Sequence, residues 1–367
     1  MTWFFVDDAP AEAQAFADQL ADGRYAIDVK VIDPVEARAR LLSNKEAPAG
    51  VLMDVELGNA AGELGSGPGI AQDIRVKQKS RDITSEYPIV RFAGRAKVER
   101  SVKGDPGSDD LFDLKIPKEE LAKDVAAVQL RLIGLEKVYS GLNAVDTKAN
   151  DAINQLLALD EPLLRRWSND SFHDRLLSAL QIATHVAAGA FVRGFLTPTG
   201  LLIGENVLSY RLGVDPARSG EHWTSLVSAL PFQYKGTASE FFPRWWARGL
   251  EEWWLETVKG ERPLGSLSIA QRIDTLSKHF NGLVQMSMPE GSAGDKPWRL
   301  CALSLEEDPQ VLIPVDPSEA VRLTPRADPP PWTDPMHVSL RLALQKRDDL
   351  RLNRADLERL QRKYRAK

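Results

Sequence analysis

The sequence predicts an α/β domain built on a doubly wound, five-stranded parallel sheet, followed by a long helix and a mostly α C-terminal domain. In residues 1–120, short apolar runs alternate with helical stretches, which is typical of a parallel α/β sheet. Several of these runs end directly at an acidic residue or a lysine. From residue 118 the pattern changes to a helical heptad repeat.

Five apolar runs are the strand candidates. They are Trp3–Val6, Ala26–Ile32, Gly50–Met53, Pro88–Phe92 and Leu111–Leu114. Helices are predicted between them, for example over Pro34–Leu42, from Pro68, and over Lys97–Ser101. Pro34 and Pro68 are expected in the first turns of their helices, where a missing N–H costs nothing.

Length and composition limit the class of protein and the number of domains. A length of 367 residues indicates two or three domains, and 43% hydrophobic with 27% charged residues is typical of a globular protein. The single cysteine, Cys301, excludes an internal disulfide and fits a reducing compartment. The sequence has no basic N-terminal signal and no apolar run of membrane-spanning length, so we expect a cytoplasmic protein without a membrane span.

Charged residues follow three of the predicted strands. Asp7 and Asp8 follow the first, Asp54 follows the third, and Lys115 follows the fifth. In a parallel α/β sheet, ligands bind outside the carboxyl ends of the strands. Adjacent carboxylates repel each other unless a cation offsets them, and Mg²⁺ prefers such oxygen ligands. We therefore expect Asp7, Asp8 and Asp54 to form a magnesium site, although an acidic pair such as Asp7-Asp8, taken alone, is more often just two solvated side chains.

Residues 1–120 resemble the receiver domain of two-component response regulators. Asp7 and Asp8 resemble its metal-binding acidic pair, Asp54 the phosphoryl-accepting aspartate, and Lys115 the lysine that pairs with the phosphoryl group. Phe112 matches the aromatic residue whose rotamer reports activation. The resemblance implies a histidine kinase, or a kinase-like ATPase, as phosphoryl donor, with Mg²⁺ bound by Asp7, Asp8 and Asp54.

Two features depart from that family. Ala93 stands at the end of the fourth strand, where the family has Ser or Thr, so the hydroxyl that binds the phosphoryl group is missing. The segment 56–69 after Asp54 is glycine-rich and several residues longer than usual. Two readings follow: the domain accepts phosphate but switches poorly, or it is an unphosphorylated docking domain.

The helix predicted from Lys118 carries a strict heptad seam. Its residues include Leu121, Val125, Val128, Leu132 and Leu135. A second apolar stripe, with Leu130 and Ile133, lies beside the seam. Either both stripes are core of one globule, or one of them contacts a second copy of the chain and makes a homodimer.

Beyond residue 160 the sequence resembles no family. We predict a receiver-like domain over 1–120, a connecting helix over 118–160, a mostly helical output domain over 161–333, and a basic helical tail over 334–367. The tail has 10 basic and 5 acidic residues, a weak signal for nucleic-acid binding. Asn353 is expected to cap a helix over Arg354–Tyr364.

The densest aromatic feature is a predicted helix opened by Pro243. It contains Trp245, Trp246, Trp253 and Trp254, with Arg244 beside them. Tryptophan dominates cores and interfaces alike, so this helix is either core or a partner surface formed by Arg244, Trp245, Trp246 and Trp253.

The sequence thus favours a divergent response regulator whose receiver controls an output domain, with phosphorylation of the receiver as its only expected chemistry. Two alternatives stay open. One is a transcriptional regulator that binds nucleic acid through the basic tail. The other is an effector enzyme of a stress or antiviral system, with its activity in residues 161–333.

Overall fold

The chain divides into two compact units in a computed structural model. The structure describes residues 2–43, 46–58, 66–94, 111–146, 149, 151–288, 294–307, 313–324, 329–345 and 350–365. Unit 1 consists of residues 1–161, 170–197 and 235–242; unit 2 consists of residues 162–169, 198–234 and 243–367. The predicted connecting helix therefore groups with the sheet.

Unit 1 is built on one five-stranded sheet. Its strands are β1 (Trp3–Val6), β2 (Val29–Ile32), β3 (Gly50–Met53), β4 (Ile89–Ala93) and β5 (Leu114–Pro117). Their spatial order is β2-β1-β3-β4-β5, and every pair is parallel. The predicted doubly wound parallel sheet is confirmed.

Unit 1 also contains eight α-helices among its described residues. They are α1 (Pro10–Leu20), α2 (Pro34–Leu41), α3 (Gly67–Ser80), α4 (Lys118–Leu121), α5 (Val125–Ala144), α6 (Ala152–Leu157), α8 (Asp170–Ile182) and α9 (Thr184–Phe191), whereas most of α7 (Glu161–Trp167) belongs to unit 2. All residues of β1 and β3 are buried, as expected for strands with two covered faces. Phe4, Val6 and Met53 share one core cluster with residues of α2 and α3.

Two predicted helix starts are confirmed, with their caps. Asp33 accepts hydrogen bonds from the N–H groups of Val35 and Glu36 at the start of α2, and Ser66 accepts one from Gly69 at the start of α3. These side chains satisfy donors that the first helical turn leaves without partners. The helix predicted over Lys97–Ser101 lies outside the described residues.

The heptad seam lies inside one chain. Leu121, Val128, Leu132 and Leu135 are at most 1% exposed, and Val125 is half-buried. The opposite side of α5 approaches the segment Lys235–Phe242 so closely that a Cβ at Gly134 would lie 2.7 Å from Phe241. This corrects the predicted dimer interface: unit 1 itself covers the seam.

Glu86 joins the loop before β4 to the start of α9. Its carboxylate accepts hydrogen bonds from the backbone N–H of Thr184 (2.8 Å) and of His185 (2.7 Å), and the His185 ring Nδ1 lies 2.7 Å away. A carboxylate at a helix N-terminus is stabilised by the free N–H groups there. Although burial alone would raise the pKa of Glu86, these hydrogen bonds outweigh it and hold the pKa below its usual 4.5.

We therefore expect Glu86→Gln to lower the free energy of unfolding of unit 1 by about 1 kcal/mol at pH 7. Because the folded-state pKa is depressed, the contribution of the charge is present above about pH 4.5 and is lost as the pH falls through the folded value. Urea unfolding at pH 7 and pH 3.5, followed through peptides of unit 1 by hydrogen exchange, checks this. An equal difference between wild type and variant at both pH values would contradict it.

Unit 2 is mostly helical with three short antiparallel ladders. Its strands are β6 (Leu202–Ile203), β7 (Trp245–Trp246), β8 (Arg299–Leu300), β9 (Pro314–Val315), β10 (Ala320–Arg322) and β11 (His337–Ser339), paired β6–β7, β8–β9 and β10–β11. Its further helices are α10 (Glu205–Leu212), α11 (Pro216–Ser219), α12 (Glu221–Ala229), α13 (Ala247–Glu256), α14 (Ile269–Leu276), α15 (Ala302–Glu307), α16 (Leu340–Gln345) and α17 (Arg354–Arg365).

The tryptophan pairs are core. Trp245 and Trp246 form strand β7 rather than a helix, and Trp253 lies on α13; all three are at most 6% exposed. Arg244 is half-buried, and burial lowers its pKa. This corrects the predicted partner surface, since its rings are already covered within unit 2.

The C-terminal segment is only partly the predicted helical tail. It starts with strand β11, and its last helix begins where expected, with Asn353 accepting a hydrogen bond from the N–H of Asp356 at 3.1 Å. Arg359 donates to the carbonyl of Ser318 at 2.7 Å, so part of the basic surface is engaged within the chain. In the described parts of the chain, no helix is both long and apolar enough to cross a membrane.

Candidate functional site

A buried lysine bridges two buried aspartates at the carboxyl edge of the unit 1 sheet. Lys118 Nζ lies 2.8 Å from Asp7 Oδ2 and 3.0 Å from Asp54 Oδ2. Asp7 follows β1, Asp54 follows β3, and Lys118 follows β5, so the edge of the sheet brings together three distant points of the sequence. Both aspartates are 0% exposed and Lys118 is 5% exposed.

Lys118 takes the place predicted for Lys115. The fifth strand was predicted over Leu111–Leu114 but spans Leu114–Pro117, three residues later. Lys115 therefore lies inside the strand, opposite Arg91, with its side chain exposed. The shift of three residues moves the lysine at the strand end from Lys115 to Lys118.

Neighbouring charges and aromatic rings determine the charge state of the bridge. Burial alone would lower the pKa of the Lys118 ammonium, but the hydrogen bonds and charges of Asp7 and Asp54 raise it above its usual 10.5. Lys118 Nζ also lies 5.5 Å from the ring centre of Phe5 and 5.4 Å from that of Phe16, within cation–π range. Burial raises the pKa of Asp7, and the hydrogen bonds from Lys118 and from the N–H of Ala9 offset this only in part.

The backbone around Asp54 is tightly packed. Asp54 Oδ1 accepts a hydrogen bond from the N–H of Val55 at 2.6 Å. The long segment after Asp54 returns at Gly67, whose N–H donates to the carbonyl of Val55 at 3.1 Å. A Cβ at Gly67 would lie 1.8 Å from the carbonyl oxygen of Asp54, so only glycine fits. Residues 59–65 of this segment lie outside the described residues.

These carboxylates do not fit a magnesium site in the present arrangement. Asp7 and Asp54 both direct Oδ2 at the Lys118 ammonium, and their Oδ1 atoms accept backbone hydrogen bonds. Asp8 is exposed. Within the described ranges, no three or more His, Cys, Asp or Glu residues are arranged to hold a metal ion. The positive charge between the two buried carboxylates is therefore the ammonium of Lys118.

Ala93 and Phe112, the two residues that the receiver resemblance links to activation, lie at opposite edges of the sheet. Ala93 is buried at the carboxyl end of β4, opposite Pro117 of β5, so the missing hydroxyl concerns the same edge as Asp54. Phe112 precedes β5 and is 1% exposed in the core cluster. Its carbonyl accepts a hydrogen bond from Arg193 Nη1 at 2.6 Å. Phe112 therefore belongs to the amino edge of the sheet, away from Asp54.

Two features of the sequence indicate that the fifth strand ends just before Lys118 rather than before Lys115. Asp113 interrupts the apolar run Leu111–Leu114, and a charged side chain rarely occupies a strand that is buried on both faces. Pro117 directly before Lys118 is also compatible with a strand end, since proline is tolerated where no ladder hydrogen bond is donated.

No family model matches the chain, and no curated protein matches it. Among solved structures, the phosphorylated cyanobacterial phytochrome response regulator RcpA is 20% identical, covering 37% of this chain and 91% of that chain, with a TM-score of 0.25. A LuxO repressor receiver domain from Vibrio parahaemolyticus is 16% identical (36% and 92% covered, TM-score 0.23). An adenylate cyclase from Rhodopirellula baltica is 13% identical (39% and 93% covered, TM-score 0.29).

With identities this low, the class of unit 1 rests on its own topology. A five-stranded parallel sheet in the order β2-β1-β3-β4-β5, with charged residues at the carboxyl ends of β1, β3 and β5, defines a doubly wound, flavodoxin-like α/β domain.

Proposed function

We propose that unit 1 is a receiver-type signalling domain in which Asp54 accepts a phosphoryl group from a histidine kinase and Lys118 is the partner cation. The observation that carries this proposal is the bridge from Lys118 to Asp7 and Asp54 at the carboxyl edge of the sheet. Strand ends at this edge are where ligands of doubly wound sheets bind.

Phosphoryl transfer to Asp54 requires mainly that the reacting groups are correctly positioned. A carboxylate oxygen of Asp54 attacks phosphorus in line while the bond from phosphorus to the donor breaks, giving an aspartyl phosphate. The attacking oxygen carries no proton, so no general base is required. Lys118 is placed to offset the charge on the transferred group, which is the main requirement in phosphoryl transfer.

Phosphorylation would also change what Lys118 binds. At present the ammonium donates to two buried carboxylates, those of Asp7 and Asp54, and Glu12 Oε1 lies farther away at 3.7 Å. A phosphoryl group adds negative charge at Asp54 and draws the ammonium away from Asp7, whose raised pKa favours its taking up a proton. Lys118 is the first residue of α4, directly before α5. The proposed signal is therefore a shift of α4 that alters α5 and, through it, an output in unit 2.

A specific observation also favours a second candidate, a phosphate-independent docking domain. Asp54 is 0% exposed, and Ala93 offers no hydroxyl to a phosphoryl group. In this second candidate the Lys118 bridge fixes one conformation permanently, because no chemical change releases it.

Treatment of the full chain with acetyl phosphate or phosphoramidate separates the two candidates. We expect a mass gain of one phosphoryl group in wild type, located at Asp54 by borohydride trapping and peptide mass spectrometry. The Asp54→Asn variant is expected to gain none, and Lys115→Met, the matched control for the exposed lysine, is expected to react like wild type. An unmodified wild-type protein, or modification that persists in Asp54→Asn, would contradict the first candidate.

A further inference from the structure

Unit 2 contains a cavity of about 320 Å³ that the proposed function does not use. Its walls include three tryptophans, Trp167, Trp298 and Trp332, and three arginines, Arg211, Arg248 and Arg299. Small-molecule sites typically measure 300–1,000 Å³ and combine aromatic walls with a few polar groups that fix orientation. This cavity is at the small end of that range.

The arginines outnumber the acids that face them. Arg211 is 3% exposed and donates from Nη2 to Asp334 Oδ2 at 2.7 Å, and Arg299 pairs with the same carboxylate. Two guanidinium groups thus share one carboxylate. Arg299 Nε is buried and has no hydrogen-bond partner among the described residues. A buried donor without an acceptor is costly, and the positive charge of Arg299 is only shared with Arg211 against one carboxylate.

Arg248 and Glu251 also line this cavity. Arg248 is about two-thirds exposed, and its Nε lies 3.6 Å from Glu252 Oε1. Burial raises the pKa of the Glu251 carboxyl group above the usual value.

The tryptophans provide flat apolar surface beside these cations. The guanidinium carbon of Arg211 lies 4.5 Å from the ring centre of Trp298, a cation–π contact. Trp167 and Trp298 are half-buried, so part of each ring remains accessible, and Trp332 is 8% exposed. Tryptophan faces bind planar aromatic rings by stacking, and nucleobases do so without strong sequence preference.

We propose that this cavity binds a nucleoside monophosphate, with the base against the tryptophans and the phosphate on Arg248 and Arg299. The volume fits one nucleotide rather than a longer chain. Arginine suits this role because its planar fork matches phosphate oxygens. The opposing interpretation is that Arg211, Asp334 and Arg299 serve only to attach the segment containing Trp332 to α10 and β8.

Calorimetric titration of the full chain with AMP, GMP, CMP and UMP tests the proposal, with quenching of tryptophan fluorescence as a second readout. The four corresponding nucleosides and inorganic phosphate are titrated separately. We expect at least one nucleotide to bind, and the matching nucleoside and phosphate to bind about tenfold or more weakly, since each makes only half of the contacts.

Three variants locate the site. Arg248→Met and Arg299→Met are each expected to weaken nucleotide binding about tenfold with little effect on nucleoside binding. Arg322→Met, which removes an exposed arginine paired with Asp356 elsewhere in unit 2, is the matched control and is expected to bind like wild type. Because Arg248 is exposed, its replacement is expected to leave the fold intact, which circular dichroism checks.

Several outcomes would overturn the proposal. They are the absence of heat and quenching with all four nucleotides at millimolar concentration, unchanged affinity in both Arg248→Met and Arg299→Met, and phosphate alone binding as tightly as the nucleotide. Tighter binding of a single-stranded oligonucleotide than of any mononucleotide would likewise reject a small-ligand site in favour of a nucleic-acid surface. None of these measurements depends on Asp54, so they are independent of the proposed receiver function.

Discussion

Replacement of Lys118 by methionine is expected to lower the free energy of unfolding of unit 1 by about 3–5 kcal/mol at pH 7, because it leaves two buried carboxylates without their cation. Asp7 and Asp54 are both 0% exposed, and the Lys118 ammonium lies within 3.0 Å of each. Methionine fills a similar volume, so the expected loss reports charge rather than packing.

The pH dependence follows from the same geometry. Without Lys118, burial of the Asp7 and Asp54 carboxylates is no longer offset by a cation, so we expect the folded variant to take up protons more readily than the unfolded chain. The folded variant then binds more protons than the unfolded chain, so its stability falls as the pH rises above about 4. We therefore expect the difference between wild type and variant to be small at pH 4 and to grow towards pH 7.

Urea unfolding followed by hydrogen exchange, read from peptides of β1 and β3, measures this difference for unit 1 separately. Lys115→Met is the matched control: its side chain is exposed, and we expect a change within about 0.5 kcal/mol. Adding Asp54→Asn to Lys118→Met removes one of the unpaired charges and should recover part of the loss. Equal stability of Lys118→Met and Lys115→Met would show that the bridge contributes nothing.

The parallel sheet could be predicted because its signals are local. Strands β1 and β3 were predicted with their observed bounds, since each is an apolar run between polar segments. These strand bounds place Asp7 and Asp54 at the same edge of the sheet, and in the structure the two carboxylates contact the same cation, Lys118. Lys118 was missed because the apolar run Leu111–Leu114 contains Phe112, which packs in the core from a loop before β5 rather than from the strand itself.

Other parts of the fold depend on contacts between distant segments of the chain, and the periodicity of apolar residues does not reveal such contacts. A heptad seam looks the same whether a second chain or the same chain covers it. In unit 1 the seam is buried within the chain itself, and the segment Lys235–Phe242, about a hundred residues after α5, packs against the other side of the helix at Gly134. Similarly, the Trp245-Trp246 pair fits a helix by composition, but its pairing with Leu202–Ile203 makes it a strand.

A second large loss of stability is expected from a substitution at the amino edge of the sheet, where Asp113 is the centre of a buried hydrogen-bond network. Its Oδ2 accepts hydrogen bonds from Arg75 Nη2 at 2.7 Å, from the N–H of Ile89 at 2.8 Å and from the Tyr139 hydroxyl at 3.0 Å. The network thereby links α3, β4 and α5. Arg75 and Asp113 are 7% and 1% exposed, so neither charge reaches water.

We expect Asp113→Ala to lower the free energy of unfolding of unit 1 by about 3–5 kcal/mol, because the Arg75 guanidinium stays buried without its carboxylate. Tyr139→Phe removes one hydrogen bond from the same network and should cost only about 1 kcal/mol. Asp73→Ala is the matched control: it breaks an exposed ion pair with Arg38, worth roughly 0–1 kcal/mol.

The double variant Arg75→Met with Asp113→Ala shows which lost interaction causes the destabilisation: the ion pair with Arg75 or the hydrogen bond from the N–H of Ile89. If the unpaired guanidinium causes most of the loss, removing it as well should restore more than half of the stability, since a buried pair often tolerates joint replacement. The measurement is the unfolding midpoint of unit 1 peptides in urea, compared across the four variants. A double variant no more stable than Asp113→Ala would assign the effect to the backbone N–H of Ile89 and the Tyr139 hydroxyl, and the charge argument would be wrong.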